Sequence, residues 1–150
     1  MKISTKGRYG LRAIIDLAIN SSGDHVALYS IAERQGISEN YLEQMFSTLR
    51  KAGLVKSVKG AQGGYILSGK PSEIKLGTVL RALEGDLSVV DEDSETADKN
   101  ETYSIQHCLR EFLWDKINES INKVVDSITI EDLINEYKKK TETVPLMFYI

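Results

Sequence analysis

Asn40, Glu43, Gln44, Ser47 and Lys51 recur at intervals of three and four residues within the stretch 38–52, which places them on one face of a helix. Two amides, a hydroxyl, a carboxylate and a cation form a set suited to reading base edges. Asn and Gln can pair bidentately with adenine, Ser with several edges, and Glu can accept from the cytosine amino group. Glu43 is informative, because an anion near phosphates is unfavourable unless it reads a cytosine. A solvated helix face is the other reading of the same stripe. Catalytic chemistry has little to draw on. Two histidines and one cysteine, Cys108, stand in no nucleophile, metal or phosphate-binding arrangement. No catalytic residue and no metal ligand set is therefore expected, and one cysteine allows neither an internal disulfide nor a multi-cysteine zinc site.

The elements around this stripe agree with it. Leu42, Met45, Phe46 and Leu49 occupy the opposite face and must point to a core. Ser38 is placed to cap the helix by accepting from one of its first backbone N–H groups. Upstream, Ser30 and Glu33 have the spacing of a capping box opening a short helix. Gly36 then supplies the positive φ of a tight turn, and Ile37 plugs the angle between the two helices. Downstream, Gly53 stops the longer helix, and Val55–Lys59 and Tyr65–Leu67 flank a Gly-Ala-Gln-Gly-Gly loop. Such a hairpin permits backbone approach to a phosphate or entry into a minor groove, with Lys56, Lys59, Gly60 and Gln62 at or near its tip. As a nucleotide-phosphate loop it lacks the GK[ST] ending and a following helix. Helix, turn, helix and hairpin predict a mainly α winged helix-turn-helix, and with it binding of double-stranded DNA.

Flanking segments read as support. Lys2–Asn20 forms a helix capped by Ser4 or Thr5, with Leu11, Ile14, Ile15 and Ala18 inward and Lys6, Arg8 and Arg12 outward. The outward cations are either phosphate contacts or a solvated basic face. His25–Tyr29 reads as a short strand or extended link. Leu76, Val79, Leu80 and Leu83 mark a further short helix closed by Gly85. This completes a DNA-binding domain over 1–85. Residues 86–102 are polar and acidic and read as a flexible linker. From Tyr103 to Ser127 runs the longest helical pattern, carrying Leu109, Phe112, Leu113, Ile117, Ile121 and Val124. A face that long exceeds what the small DNA unit can cover. Burial against a symmetry mate is the expected solution, since paired half-sites match a two-fold dimer. Thr129 caps a last short helix through Tyr137, Lys138–Lys140 end it, and an apolar tail VPLMFYI closes a region spanning 103–150.

Composition divides along the same boundary. The net charge is −3 overall, yet residues 1–85 hold 12 Lys/Arg against 7 Asp/Glu (net +5) and residues 86–150 hold 7 against 15 (net −8). The basic half contains the unit that would need to neutralise phosphates. The longest apolar runs fall far short of the ~20 residues of a spanning helix, and MKISTKGRYG has no apolar core behind its charges. A cytoplasmic protein with no membrane association and no cofactor is expected.

The segments MKISTKGRYGLRAIIDLA, ISENYLEQMFSTLRKAGLVKSVKGAQGGYIL and ITIEDL together resemble the Rrf2 family of bacterial winged-helix transcription regulators. The resemblance covers nearly the whole chain, and YLEQ, LRKAGLV and the G-x-x-GGY wing occur together and in order. It implies a homodimeric transcription factor with the Ser38–Ala52 helix in the major groove and the wing in the minor groove. Tyr41 and Glu43 lie in the YLEQ motif among the family's base-reading positions, and Lys59-Gly60 falls at the wing tip. The family's iron–sulfur branch places three cysteines in the linker and at the start of the long helix. Here only Cys108 stands, with Glu111 where that branch can carry a histidine. One thiolate does not hold a cluster that takes four protein ligands. A bridge of two Cys108 with His107 across a dimer, a redox-active thiol and an inert packed cysteine all stay open. The departure implies the cluster-less branch, and the ending MFYI resembles that of a repressor of cysteine metabolism within it. The resemblance thus implies a repressor of cysteine and sulfur genes with a protein partner, cysteine synthase (O-acetylserine thiol-lyase), contacted through Met147, Phe148, Tyr149 and Ile150. A terminal Ile carboxylate suits capture in a pocket of backbone N–H groups; a tail folded onto its own dimer is the other reading. Two alternatives remain beside this one: a redox or nitric-oxide regulator acting through Cys108, and an interaction module inhibiting an enzyme through its tail.

Overall fold

The computed structural model describes residues 2–91 and 104–148, with side chains through Glu142. Its helices are α1 (Thr5–Asn20), α2 (Leu28–Gln35), α3 (Glu39–Lys51), α4 (Leu76–Glu84), α5 (Ile105–Leu109), α6 (Asp115–Asp126) and α7 (Ile130–Phe148). A π-helical turn, Arg110–Trp114, joins α5 to α6 without a break, giving one long helix of roughly 33 Å at ~1.5 Å per residue. Two strands, β1 (Val55–Val58) and β2 (Gly64–Leu67), pair antiparallel with Val55 opposite Leu67 and Val58 opposite Gly64. The architecture is a winged helix-turn-helix followed by a long helix and a C-terminal helix.

The core forms where the sequence pattern places it on α3 and is wider elsewhere. Leu42, Met45, Phe46 and Leu49 are fully buried, and Ile37 plugs the turn. On α1 the inner face is centred on Ala13, Ile14 and Leu17. Leu11, Ile15 and Ala18, expected inward, are only partly buried; Leu11 and Ile15 line an open cleft between α1 and α7 with Leu133 and Tyr137. Ser4, not Thr5, is the cap, accepting from the Gly7 N–H at 3.3 Å. A second acceptor arrives from far along the chain. The Glu84 carboxylate, at the end of α4, takes the N–H groups of Ser4 at 3.1 Å and Gly7 at 3.0 Å. Anionic oxygen at a helix N-terminus is favourable for both the orphan donors and the dipole.

Four expectations need correction. Ser30 does not open α2. Val26 pairs with Tyr65 through two backbone hydrogen bonds, of 2.8 and 2.9 Å, which keeps the chain extended as far as Ala27. The helix starts directly after Ala27, without a side-chain cap, and Ser30 lies inside it. The expected strand at 25–29 is thereby reduced to the single bridge at Val26. The linker read over 86–102 does not begin as a loose segment: Leu87 is 3% exposed, and the Val89 N–H donates to Asn118 Oδ1 at 2.8 Å. Residues 92–102 of that linker lie outside the described residues. Finally, the last helix continues past Lys138–Lys140, where the run holds no Gly or Pro, and reaches Phe148 with Pro145 inside it. Thr129 does cap it, in a reciprocal pair: the Thr129 N–H donates to Asp132 Oδ2 at 2.9 Å and the Asp132 N–H to Thr129 Oγ1 at 3.2 Å.

Two polar ties hold the elements in register. The Asp16 carboxylate of α1, 5% exposed as a residue, accepts from Arg34 Nε and Nη2 at 3.0 and 2.7 Å and from Gln35 Nε2 at 2.8 Å. Further on, Arg81 of α4 grips Asp126 of α6 with two hydrogen bonds of 2.8 and 2.9 Å and adds one of 2.7 Å to Asn122 Oδ1. Beside it, Lys75 and Thr129 form an antiparallel bridge, and Ile130 and Ile134 of α7 enter the same core as Ile74.

Replacing Asp16 by Asn removes the charge but keeps the shape. The loss of charge-assisted bonds is expected to cost about 2 kcal/mol, or a fall in Tm of roughly 4–8 °C by calorimetry. Hydrogen bonding from Arg81 holds the Asp126 carboxyl below its usual range. A depressed carboxylate stabilises the fold above its unfolded pKa of about 4, and that contribution is lost as pH falls through the folded value. The Tm difference between the wild type and Asp126→Asn is therefore expected to shrink as pH drops below about 4; a constant difference across pH would disprove the tie.

Candidate nucleic-acid interface

Helix α3 presents the polar stripe outward. Asn40, Glu43, Gln44 and Lys51 are exposed, and Ser47 is half-buried. Ser38 is committed to the cap, its hydroxyl accepting from the Tyr41 N–H at 3.3 Å. Tyr41 differs from the rest of the set. Its ring is half-buried and meets Tyr9 of α1 edge-on at 6.3 Å between centroids, so its aromatic body serves the α1–α3 contact.

The wing is brought beside that stripe. Glu39 and Glu43 of α3, Ser57, Lys59 and Gly60 of the hairpin, and Tyr29 of α2 line one open cleft of about 570 Å³. The sequence suggested α3 and the wing as separate candidates; the fold makes them two walls of one surface. Its position depends on close backbone packing. A Cβ on Gly64 would stand 2.3 Å from the Val26 carbonyl oxygen, so only glycine allows the hairpin to approach the chain entering α2. Gly60, at the tip, has φ +122, which glycine alone adopts freely. Lys56 and Gln62 are exposed on the hairpin.

The cations of α1 are less free than expected. Arg8 donates to Thr5 Oγ1 at 3.2 Å and lies 5.9 Å from the Tyr9 ring centroid, and Arg12 lies 5.1 Å from it while bonding Gln35. Lys6 is half-buried. Tyr29, 63% exposed beside Glu43 in the cleft, was missed. Its only signal in the sequence is a large aromatic beside the Ser30 that the spacing made the start of the first helix.

The long helix carries the second surface. Ile105, Leu109, Phe112, Leu113 and Val124 are exposed, Phe112 at 75%, whereas Ile117 and Ile121 are half-buried. Lys116 Nζ sits 3.7 Å from the Phe112 ring centroid, a cation over an otherwise uncovered aromatic. Cys108 is exposed within this apolar patch. Its neighbour His107 pairs with Glu111 at 3.2 Å, and no group of three His, Cys, Asp or Glu able to hold a metal occurs among the described residues. One exposed thiol with an imidazole already engaged does not fit the ligand set of an iron–sulfur cluster. The tail residues Met147 and Phe148 continue α7; Tyr149 and Ile150 lie outside the described residues.

Comparison with known proteins matches this geometry. The Rrf2 family profile, described as an iron-dependent transcriptional regulator, matches residues 3–136. The HTH-type transcriptional regulator CymR of Bacillus subtilis is 44% identical over 152 residues, covering all of both chains. The solved structure of B. subtilis CymR, described as the global cysteine regulator of that organism, superposes with a TM-score of 0.75 at 43% identity, covering 91% of this chain and 98% of its own. The structure of T. potens IscR gives 0.73 at 46% identity, covering 93% and 90%.

Proposed function

The chain belongs to the Rrf2 family of DNA-binding transcriptional regulators, and from that premise we propose that it is a homodimeric, sequence-specific repressor of cysteine and sulfur metabolism genes, switched by contact with a partner protein. The observation that carries the metabolic assignment is the end-to-end similarity to a protein described as a global cysteine regulator. The donor set around Cys108 supports it from the other side, because it does not suit the iron chemistry in the family's description.

In this reading α3 lies in the major groove, with Asn40, Glu43, Gln44, Ser47 and Lys51 toward the bases, and the wing meets the backbone or minor groove through Lys56, Lys59, Gly60 and Gln62. The apolar face of the long helix supplies the dimer contact, since a patch of that size on a monomer marks an interaction surface. A two-fold dimer would set two α3 helices into half-sites about 34–36 Å apart. The apolar tail Met147–Ile150 is the proposed contact for cysteine synthase. A second reading, regulation through Cys108, draws on its exposure in the dimer face.

Each part has its own check. Glu43→Ala is expected to relax preference at one base pair, lowering discrimination there by about 1–3 kcal/mol. Lys59→Ala should weaken all duplexes alike and reduce the slope of log affinity against log salt by about 1. Unchanged binding for both variants in a gel-shift assay would overturn the interface. Deleting residues 147–150 should leave intrinsic DNA binding intact and abolish retention of cysteine synthase in a pull-down. Loss of DNA binding by the deletion would refute the division of labour between the two ends. A visible absorbance spectrum of anaerobically purified protein should be featureless; bands from a cluster would favour the Cys108 reading.

A further inference from the structure

With α3 in a major groove and the wing in the neighbouring minor groove, the two grooves are separated by one sugar–phosphate strand. That strand has to run through the cleft between α3 and the hairpin. The α3 wall of the cleft carries Glu39 and Glu43, and the hairpin wall carries Ser57, Lys59 and Gly60. Tyr29 lines the same cleft but belongs to neither wall, since it comes from the first turn of α2. The contacts that seat the hairpin also seat Tyr29: three residues before it, Val26 exchanges backbone hydrogen bonds of 2.8 and 2.9 Å with Tyr65 of β2.

The side chain of Tyr29 is uncommitted within the fold. Tyr9 and Tyr41 meet each other edge-on at 6.3 Å between centroids, and Tyr65 packs on Phe46 at 4.9 Å. Tyr29 is 63% exposed, and among the described residues its ring meets no other aromatic and its hydroxyl has no hydrogen-bond partner. The two glutamates on the α3 wall repel a phosphate, so a strand in the cleft needs donors from elsewhere. A phenol supplies one such donor without charge, on a ring whose apolar body suits the C–H face of a deoxyribose.

We propose that Tyr29 is a backbone contact to DNA: its hydroxyl donates to a phosphate of the strand between the two grooves, and its ring lies against the adjoining sugar. The proposal rests on the α3-and-wing reading given above. It makes Tyr29 a positioning residue, because phosphate contacts fix register and orientation on the duplex and carry no sequence information directly. A neutral hydroxyl displaces no counterion, so the contact adds affinity without steepening the salt dependence.

Tyr29→Phe removes the hydroxyl and keeps the ring. On a duplex recovered by the wild-type protein from a random pool, the variant is expected to bind about threefold to tenfold more weakly, the worth of one ordinary hydrogen bond. The factor should be the same on point-mismatched duplexes, and the slope of log affinity against log salt should not change. A second arm replaces the phosphates one at a time by neutral methylphosphonate. At one linkage the wild type should lose more affinity than Tyr29→Phe does, which locates the bonded phosphate. Wild-type affinity for Tyr29→Phe, a loss confined to one base pair, or equal losses for the two proteins at every linkage would overturn the contact. Lys59→Ala separates that failure from failure of the interface. A shallower salt slope for Lys59→Ala beside a silent Tyr29→Phe refutes the Tyr29 contact alone, whereas recovery of no duplex refutes the DNA reading and the contact with it.

Discussion

The geometry of the helix-turn-helix depends on one buried carboxylate. The apolar core of Ile14, Leu17, Ile31, Leu42, Met45, Phe46 and Leu49 supplies the bulk of the stabilisation, but hydrophobic burial is non-directional. Asp16 adds direction. It is the only charged residue buried among the described residues, and it binds Arg34 and Gln35, the last two residues of α2 before the Gly36 turn. Desolvating a carboxylate is costly unless it is paired and hydrogen-bonded, and Arg34 Nε and Nη2, Gln35 Nε2 and Asn20 Nδ2 meet that requirement here. The consequence is that the end of α2 is tied to α1 at one point. From there the left-handed turn at Gly36, with φ +65, and the Ser38 cap set where α3 begins.

A second set of ties makes the two ends of the chain one mechanical unit. The Lys75–Thr129 bridge, the Arg81–Asp126–Asn122 cluster and the burial of Ile130 and Ile134 all cross from the DNA unit to the C-terminal helices. Gly77 allows the approach, since a Cβ there would stand 2.0 Å from Asp126 Oδ1. The C-terminal region is thus packed on the winged helix, whose core α7 shares through Ile130 and Ile134. α6 meets α4 directly through the Arg81–Asp126 pair, and α7 packs against α1.

How legible these features were depended on the distance to their causes. The stripes of α3, the Gly36 turn, the Ser38 cap and the wing were readable because periodicity, capping and glycine placement act within a few residues. Ser30 misled for the opposite reason: its spacing to Glu33 is that of a capping box, but the bridge from Val26 to Tyr65, far along the chain in the hairpin, decides where α2 starts. Asp16 and Glu84 could not be singled out, since their partners stand 18 and 77 residues away. Leu87 reads as part of a polar linker because Leu87, Val89 and Val90 are too few, at the head of an acidic run, to set a period that reveals a face. Within the site, the sequence named the helix and hairpin that the fold sets side by side, but could not show that Tyr41 faces Tyr9 or that Tyr29 joins the cleft.

The charge pattern of that cleft bears on selectivity more than on strength. Glu39 and Glu43 line it together with Lys59, so the surface proposed to meet DNA is not uniformly basic. Non-specific affinity comes almost wholly from neutralising phosphates. Carboxylates on the surface weaken that contribution at every register, and a Glu regains the loss only where a cytosine amino group meets it. A surface that mixes cations with anions therefore penalises wrong sites more than right ones, which is how discrimination is built from repulsion as well as attraction. A protein whose overall charge is −3 can still read DNA on this principle, because what the bound complex requires is a favourable difference between sites, not a large net attraction to all of them.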